Sequence, residues 1–586
     1  VVFTCIENVY LFRGTPFSLT LVIMKLFIIG VFYFSTCVMF AQSTNTEWVA
    51  HVGGPFSDQG ASVTHDLSGN VYSTGHFYDT VDFNPGLGEE NLISGYSSDL
   101  FIQKLDPSGG LLWAVNMGGT GSNYGKQIVV DNEGNSYVVG EFTGHTDFDP
   151  GIGEANFNAG VNTNGFVLKL NSSGELIWAK HLAGAGLIQR TSLALGADNS
   201  VYIAGDFKGT IDFDPGIDTH ELTVVGEFGN DDAFIEKLSP DGDFVWVKQI
   251  GDWSIDGGNS IHIDESDNVL VTGSFSDTVD FDPGIGVFEM SATTGNSTFI
   301  LKLENTGDFI WAKQVGGRGN KIESDNLGNI FVCVSYSETV DTDPGVGEVY
   351  LTSEGYFDTY LLKLNSSGNF IWSKSIGGEG IDLISSLIID EYGNVYVTGH
   401  FQFDCLFNLE SGVVTLSTAS SFSDIFLAKF DELGNMIWVQ QMGGERSDYA
   451  LSIDLDNAGN LLIAGDFSSS LIDFDPGAGS LEYSTNGQRD IFVLKISNWS
   501  LGLMESSSAF SSLTVYPNPS GNYFTVDCEN VHKMNYSIYS SLGHVVSSGV
   551  INSDYDKVDV SELSNGIYFV RFFDDKNNSI VQFVKN

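Results

Sequence analysis

Basic residues are scarce in this chain. Lys and Arg number 25 against 75 Asp and Glu, a formal net charge of −50 over 586 residues. Repulsion on that scale excludes nucleic acid and anionic membrane surfaces as partners and suits an extracellular, salty or calcium-rich medium. Cysteine is scarcer still, with 5 in all. Beyond the N-terminal stretch only Cys333, Cys405 and Cys528 remain, an odd number without a CxxC pair. That indicates neither a disulfide framework nor a zinc site and predicts buried free thiols. GxSxG, HExxH and P-loop motifs are absent, and the 10 His residues recur at no fixed repeat position. No motif of the common hydrolases announces an enzyme.

Long apolar runs are confined to one region. Met24-Lys25 precede LFIIGVFYFSTCVMF and then Ala41-Gln42, the basic start, apolar stretch and small residue of a secretory signal peptide over 24–41. The run is close to the lower limit for spanning a bilayer, but no flanking charges follow it. Residues 1–23 read as an upstream extension foreign to the natural protein. No transmembrane segment is expected after the signal is removed.

What the chain has in quantity is glycine, 68 residues, and a repeat. Trp48, Trp113, Trp178, Trp246, Trp311, Trp372 and Trp438 are spaced by 65, 65, 68, 65, 61 and 66 residues. A period of that length suits four strands and one long loop. From Trp113 the unit runs through a short apolar strand ending at Asp131, the turn DNEGN, SYVVGEF, a DFDPG loop, GFVLKL, the turn NSSGE and the next Trp strand. Tight Asp/Asn-x-x-Gly turns join the first strand to the second and the third to the fourth, so both pairs are hairpins. In GDFIWAKQV, Phe309, Trp311 and Val315 point one way and Ile310 and Ala312 the other, predicting burial on both faces between neighbours. Gly75, Gly140, Gly205, Gly273, Gly399 and Gly465 recur in the second strand, where a missing side chain is expected to admit the adjacent unit; Val334 breaks the rule.

The ends match. The chain opens on a lone Trp strand and finishes its seventh copy on the third strand, DIFVLKIS (490–497). A circular array closes that way, with the N-terminal strand pairing onto the last unit. The expected fold is all-β: a seven-bladed β-propeller over 46–497 closed by the N-terminal strand.

GNVYVTGHF (393–401) and DLFIQKLDPSG (99–109) with their cognates resemble the bacterial SBBP-type β-propeller repeats. The resemblance covers 46–497 and implies a propeller without a particular chemistry.

After a Ser-rich linker over 498–512, residues 513–586 read as short strands of a small Ig-like β-sandwich. This tail also resembles the type IX secretion system (Por) type A C-terminal sorting domain of Bacteroidota. The residues that carry the likeness are Tyr516, Pro517, Asn518, Pro519, Gly521, Leu542, Gly543, Leu563, Gly566, Tyr568 and Lys585. It implies a partnership with the type IX secretion machinery, delivery to the outer-membrane surface or the medium of a Gram-negative bacterium, and removal of the tail.

Length changes fall in the loops from the second to third strand and from the fourth strand to the next unit. That face is therefore the expected ligand face. It reads as acidic, with Asp58, Asn123, Asp256, Asp382 and Asp448 ten residues after their Trp. The expected function is a secreted or cell-surface, non-enzymatic binding or scaffold protein with a glycan or protein ligand. The alternative is a carbohydrate-active hydrolase or lyase, which would need a pocket of non-repeating polar residues.

DFDPG recurs at 147–151, 212–216, 280–284 and 473–477, with DFNPG at 82–86 and DTDPG at 341–345. In a strand, residues i and i+2 share a side about 6.6 Å apart. Asp82, the pairs Asp147/Asp149, Asp212/Asp214, Asp280/Asp282, Asp341/Asp343 and Asp473/Asp475 are thus candidate Ca2+ ligands. The competing reading is a structural turn in which Asp149 accepts the Gly151 N–H. Asn84 and Asn408 occupy the second position without an evident penalty, whereas the first Asp yields only to Leu406.

Overall fold

The computed structural model describes residues 45–497 except 227–229, 410–411 and 477–479. It also describes residues 513–585 except 518–519, 528–533, 541–544, 552, 554, 562 and 574–577. The expected signal peptide (24–41) and linker (498–512), Cys528 and four residues of the expected sorting motif (Asn518, Pro519, Leu542 and Gly543) lie outside these.

Every named element is a strand. Among the described residues, antiparallel pairing sorts 45–497 into seven four-stranded units. Six are continuous in sequence, at 59–119, 123–184, 187–250, 257–316, 318–378 and 383–442. The seventh takes three strands from 448–497 and its fourth from Asn45–Val52, with Trp48 opposite Lys495 and Val49 opposite Leu494. First strands lie side by side in a cycle, each against the next and the seventh against the first. Serines stitch this cycle: Oγ of Ser62, Ser192, Ser260 and Ser452 accepts a backbone N–H from the following unit at 3.2–3.3 Å. In unit two Gln127 does the same work, accepting from Leu193 N at 3.0 Å.

Trp fastens the opposite end of five units. Trp48, Trp113, Trp178, Trp246 and Trp372 donate Nε1 to a carbonyl in the third-to-fourth-strand turn of the next unit, at 3.1–3.3 Å. Turn glycines such as Gly174 and Gly242, at φ 83° and 77°, lie flat on the indole, and a Cβ would press into it. The fourth strand is outermost. Its alternate residues Leu112, Ile177, Val245, Ile310 and Ile371 are exposed, which corrects the expectation of two buried faces: the neighbour covers one side, and solvent meets the other.

The second-strand glycine also serves a different end from the one expected. A Cβ at Gly75, Gly140, Gly273, Gly399 or Gly465 would stand within 2.0 Å of a carbonyl in the first strand of its own unit, beside a register shift. The bulge requires the glycine. Neighbouring units instead approach through first-strand glycines: Cβ at Gly60, Gly125, Gly258 or Gly319 would meet the carbonyl of Gly465, Gly75, Gly205 or Gly273 at 2.9–3.2 Å.

The long connection does not stay on the loop face. In unit three Asp212 and Ile211 pair with Ala183 and Gly184 of unit two's outer strand. Further along, the His220 ring lies 4.9 Å from Phe244 at the start of unit three's own outer strand. The hairpin therefore runs back along the perimeter. Phe213 anchors it, fully buried between Phe207 and Phe234, as do Phe83, Phe148, Phe281 and Phe474 in their units.

Residues 513–585 form two sheets, one of three strands and one of four, around a core that includes Phe524, Val526, Ile538, Val570, Phe572 and Phe583. Cys333 and Cys405 are free and buried, as expected.

Candidate functional site

Each DFDPG carboxylate has an assignment in the hairpin. Asp147 Oδ1 accepts from Asp149 N at 3.1 Å and Ala155 N at 2.8 Å. Asp82, Asp212, Asp280, Asp341 and Asp473 bind the same two backbone positions, the second at 2.7–2.9 Å. One oxygen thus closes both strands over the loop. The second acid makes the Asx turn: Asp149, Asp214, Asp282 and Asp343 accept the Gly N–H two residues on at 2.7–2.9 Å, and Asn84 does so at 2.8 Å. An amide oxygen serves that bond equally, so Asn is tolerated there. In unit seven Asp475 keeps the backbone half of the scheme, donating its N–H to Asp473 Oδ1 at 2.9 Å; position 477, where its turn partner would stand, lies outside the described residues. The pairs expected to converge on Ca2+, from Asp147/Asp149 to Asp473/Asp475, thus have the first acid turned onto backbone amides. Among the described residues no group of three or more His, Cys, Asp or Glu could hold a metal ion.

The acids read from sequence as an exposed rim are internal. Asp58, Asn123, Asp256, Asp382 and Asp448 are fully buried. Asp58 accepts from Gly54 N at 2.7 Å and Tyr78 N at 2.9 Å, tying loop to strand. Burial pushes Asp58 and Asp448 up to about 6 and Asp256 and Asp382 to about 7. Carboxylates across the unit boundary add to this, Asp490 for Asp58 and Asp358 for Asp382. Sequence spacing found the position but could not tell a rim from a seam.

Function-like variation lies one strand inward. The residue after the second-strand glycine, or after Val334, is His76, Glu141, Asp206, Ser274, Ser335, His400 or Asp466 in units one to seven. A slot filled by such varied polar residues reads from the sequence alone as solvent-facing. Instead Asp206 and Asp466 are buried, and the slot forms a connected arc through units six, seven, one, two and three. His400 meets Tyr449 edge-on at 4.9 Å, and the Arg489 guanidinium lies 5.2 Å over Tyr449. Arg489 Nε stands 3.1 Å from Asp466 Oδ1, and Gln59 donates to Asp466 Oδ2 at 3.0 Å. His76 meets Tyr124 edge-on at 4.7 Å. Lys126 is 3.5 Å from Glu141, which accepts from Arg190 N at 3.0 Å. Arg190 is 3.6 Å from Asp206.

Electrostatics follow burial. His76 and His400 are lowered to about 4 and stay neutral; for His76, Lys126 and Arg489 add to the effect of burial. Burial lifts Asp206 to about 7 and Asp466 to about 6, against the pull of Arg190 and Arg489. Units four and five contribute only Ser274 and Ser335. A near-symmetric scaffold thus carries one asymmetric belt of acid, base and aromatic groups, the arrangement that recognition or proton transfer needs.

In the tail Tyr568 is buried and donates to Ser564 O at 2.9 Å. Lys585 is buried and pairs with Gly566, and its backbone bridges Ser520. Leu563 packs on the tail core; Tyr516, Pro517 and Gly521 are exposed. These residues belong to the two-sheet tail, distant in sequence from the arc.

Residues 514–586 match the family described as the secretion system C-terminal sorting domain. The chain therefore carries an address for type IX secretion, to the cell surface or the extracellular space. No helix among the described residues is long and apolar enough to cross a membrane. The chain is 21% identical over 588 residues, 86% of its length, to an uncharacterized WD repeat-containing protein of Acanthamoeba polyphaga mimivirus. It is 26% identical over 193 residues, 32% of its length, to the regulatory protein FlaEY of Caulobacter vibrioides. It spans 41% and 19% of those relatives. PorZ, a surface component of the type IX secretion system of Porphyromonas gingivalis, is similar at 11% identity and TM-score 0.17, over 91% of this chain and 99% of that one. A likeness at that score carries no argument, and the fold rests on the strand pairing above.

Proposed function

We propose that the protein is a secreted or surface-displayed binding module: a closed seven-bladed β-propeller followed by an Ig-like sorting sandwich. A signal peptide over 24–41 takes it across the inner membrane, and the tail engages the type IX machinery and is removed. The ligand, a glycan or a protein, docks on the arc from His400 to Asp206. The observation that carries this reading is the broken symmetry of the arc. Most seams and turns elsewhere repeat, because packing asks the same of each unit, whereas a slot that takes four residue types over seven units, with its acids and histidines all in the arc and only serines beyond it, answers to something outside the fold.

The alternative, a carbohydrate-active hydrolase or lyase on the same scaffold, is favoured by one observation, the buried Asp206 carboxyl poised at about 7. Both readings are tested together by incubating the secreted chain with a glycan array and a polysaccharide panel. Binding without new reducing or unsaturated ends supports the module. Turnover abolished by Asp206→Asn would replace it with the enzyme, and neither binding nor turnover, with no protein partner captured, would remove the arc as a ligand site.

A further inference from the structure

Between residues 45 and 497 there are four arginines, Arg190, Arg318, Arg446 and Arg489. All stand at or near the start of a first or third strand, the end of the units that bears the arc. Three cations gather where units two and three meet. Lys126 is 3.5 Å from Glu141, Arg190 Nη1 is 3.6 Å from Asp206, and Lys208 Nζ is 3.0 Å from Asp231. The acids lie beneath, with side chains 12%, 1% and 5% exposed, and the cations lie outward at 39%, 49% and 33%. A ligand arriving from solvent meets the cations first.

Arg190 is both fixed and unspent. Its backbone sits at φ 53° and its N–H is held by Glu141. Unit four leaves room for the side chain, since a Cβ at Gly257 would stand 2.9 Å from Nη1. At 3.6 Å the contact with Asp206 is beyond hydrogen-bond range. Both Asp206 oxygens, buried in the protein, accept no hydrogen bond from the described residues. The half-exposed guanidinium therefore keeps its planar fork of donors for another partner.

We propose that Lys126, Arg190 and Lys208 form a site for the anionic group of an acidic saccharide, a carboxylate or sulfate held bidentately by Arg190 with the two lysines alongside. The inference rests on the binding reading above and names its ligand class. An anion fits the fork geometry, and three outward cations over buried acids make this a locally favourable spot on a chain whose net charge is −50.

The test uses the full secreted chain in isothermal titration with three probes: oligogalacturonate, a heparin oligosaccharide and a neutral cello-oligosaccharide. One or both acidic probes bind and the neutral one does not, carboxylate and sulfate sources being told apart by which probe is taken. Arg190→Gln and Lys208→Gln each weaken binding about tenfold, and Arg190→Lys weakens it too by losing the fork. Lys180→Gln, which removes the same charge near the Trp end, leaves Kd unchanged. Equal binding of the neutral probe, or a Kd indifferent to Arg190→Gln and Lys208→Gln in variants that melt like the parent, overturns the acidic-saccharide site while the binding module stands. If no saccharide binds, the site is overturned as well, and the module then stands or falls on capture of a protein partner.

Discussion

Trp178 Nε1 donates to the carbonyl of Pro240 at 3.2 Å, across the boundary between two consecutive units. Trp372 makes the equivalent bond to Glu432 at 3.3 Å, but buried Trp438 Nε1 finds no acceptor among the described residues. The reason is topological: the unit after Trp438 is the one shared by the two chain ends, so it has no turn between third and fourth strands to offer a carbonyl. Trp372→Phe should cost about 1 kcal/mol more than Trp438→Phe, the value of a net hydrogen bond set against an already unsatisfied donor. Denaturant melts of the two variants check this; equal losses would mean that the bond contributes nothing.

Acid should stabilise the fold. Asp58, Asp232, Asp448 and Asp466 are raised to about 6, and Asp206, Asp256, Asp382 and Asp424 to about 7. The folded state then binds these protons more tightly than the unfolded chain, so their stabilisation is complete below the unfolded value of about 4 and lost as pH rises toward 7. His76, His181 and His400, lowered to about 4, oppose this below pH 6.5 but are fewer. Tm at pH 5.5 should exceed that at pH 8 by on the order of 5 °C, and Asp382→Asn should flatten the difference. A Tm that rises toward alkaline pH would contradict the buried seam.

Asp147→Ala leaves two backbone N–H groups without their acceptor and should cost about 2 kcal/mol. Asp149→Asn should cost less than about 0.5 kcal/mol, since Asn84 already makes the same turn. With both acids engaged in turn bonds, EDTA should leave Tm unchanged. A calcium-dependent rise at low ionic strength would restore the metal reading of these loops.

Deleting residues 510–586 should leave the seven units folded yet strand the protein in the periplasm. Fractionation with antibody detection reads this directly, and normal surface levels of the truncated chain would refute the sorting role.

Much of the architecture was legible in the sequence because the same demand is repeated seven times. The Trp ruler, the Asx turns and the unmatched strands at 45–52 and 490–497 each announce a contact that every unit must make. Burial was less legible. Asp58 and Asp256 look like a rim because they are charged and sit in loops, yet backbone amides draw them inside. The glycines were seen, but their partner was not, since a bulge one strand away leaves no mark on the strand that accommodates it. The arc was not legible because residues such as Asp206 and Arg190 lie fifteen or more apart in sequence and in no motif; the pairing of Gln189 with Asp206 and the bulge that follows bring them together.

The pairing of Trp48 with Lys495 also orders events in time. The strand Asn45–Val52 must wait, an unpaired edge, until six further units have been made, because its partner Asp490–Ser497 lies at the far end of the array. The residues that address the protein for export come only after that partner. A chain terminated before residue 490 would therefore lose the partner of Asn45–Val52 and the sorting tail together. Release and folding are thus counted from the same end of the message.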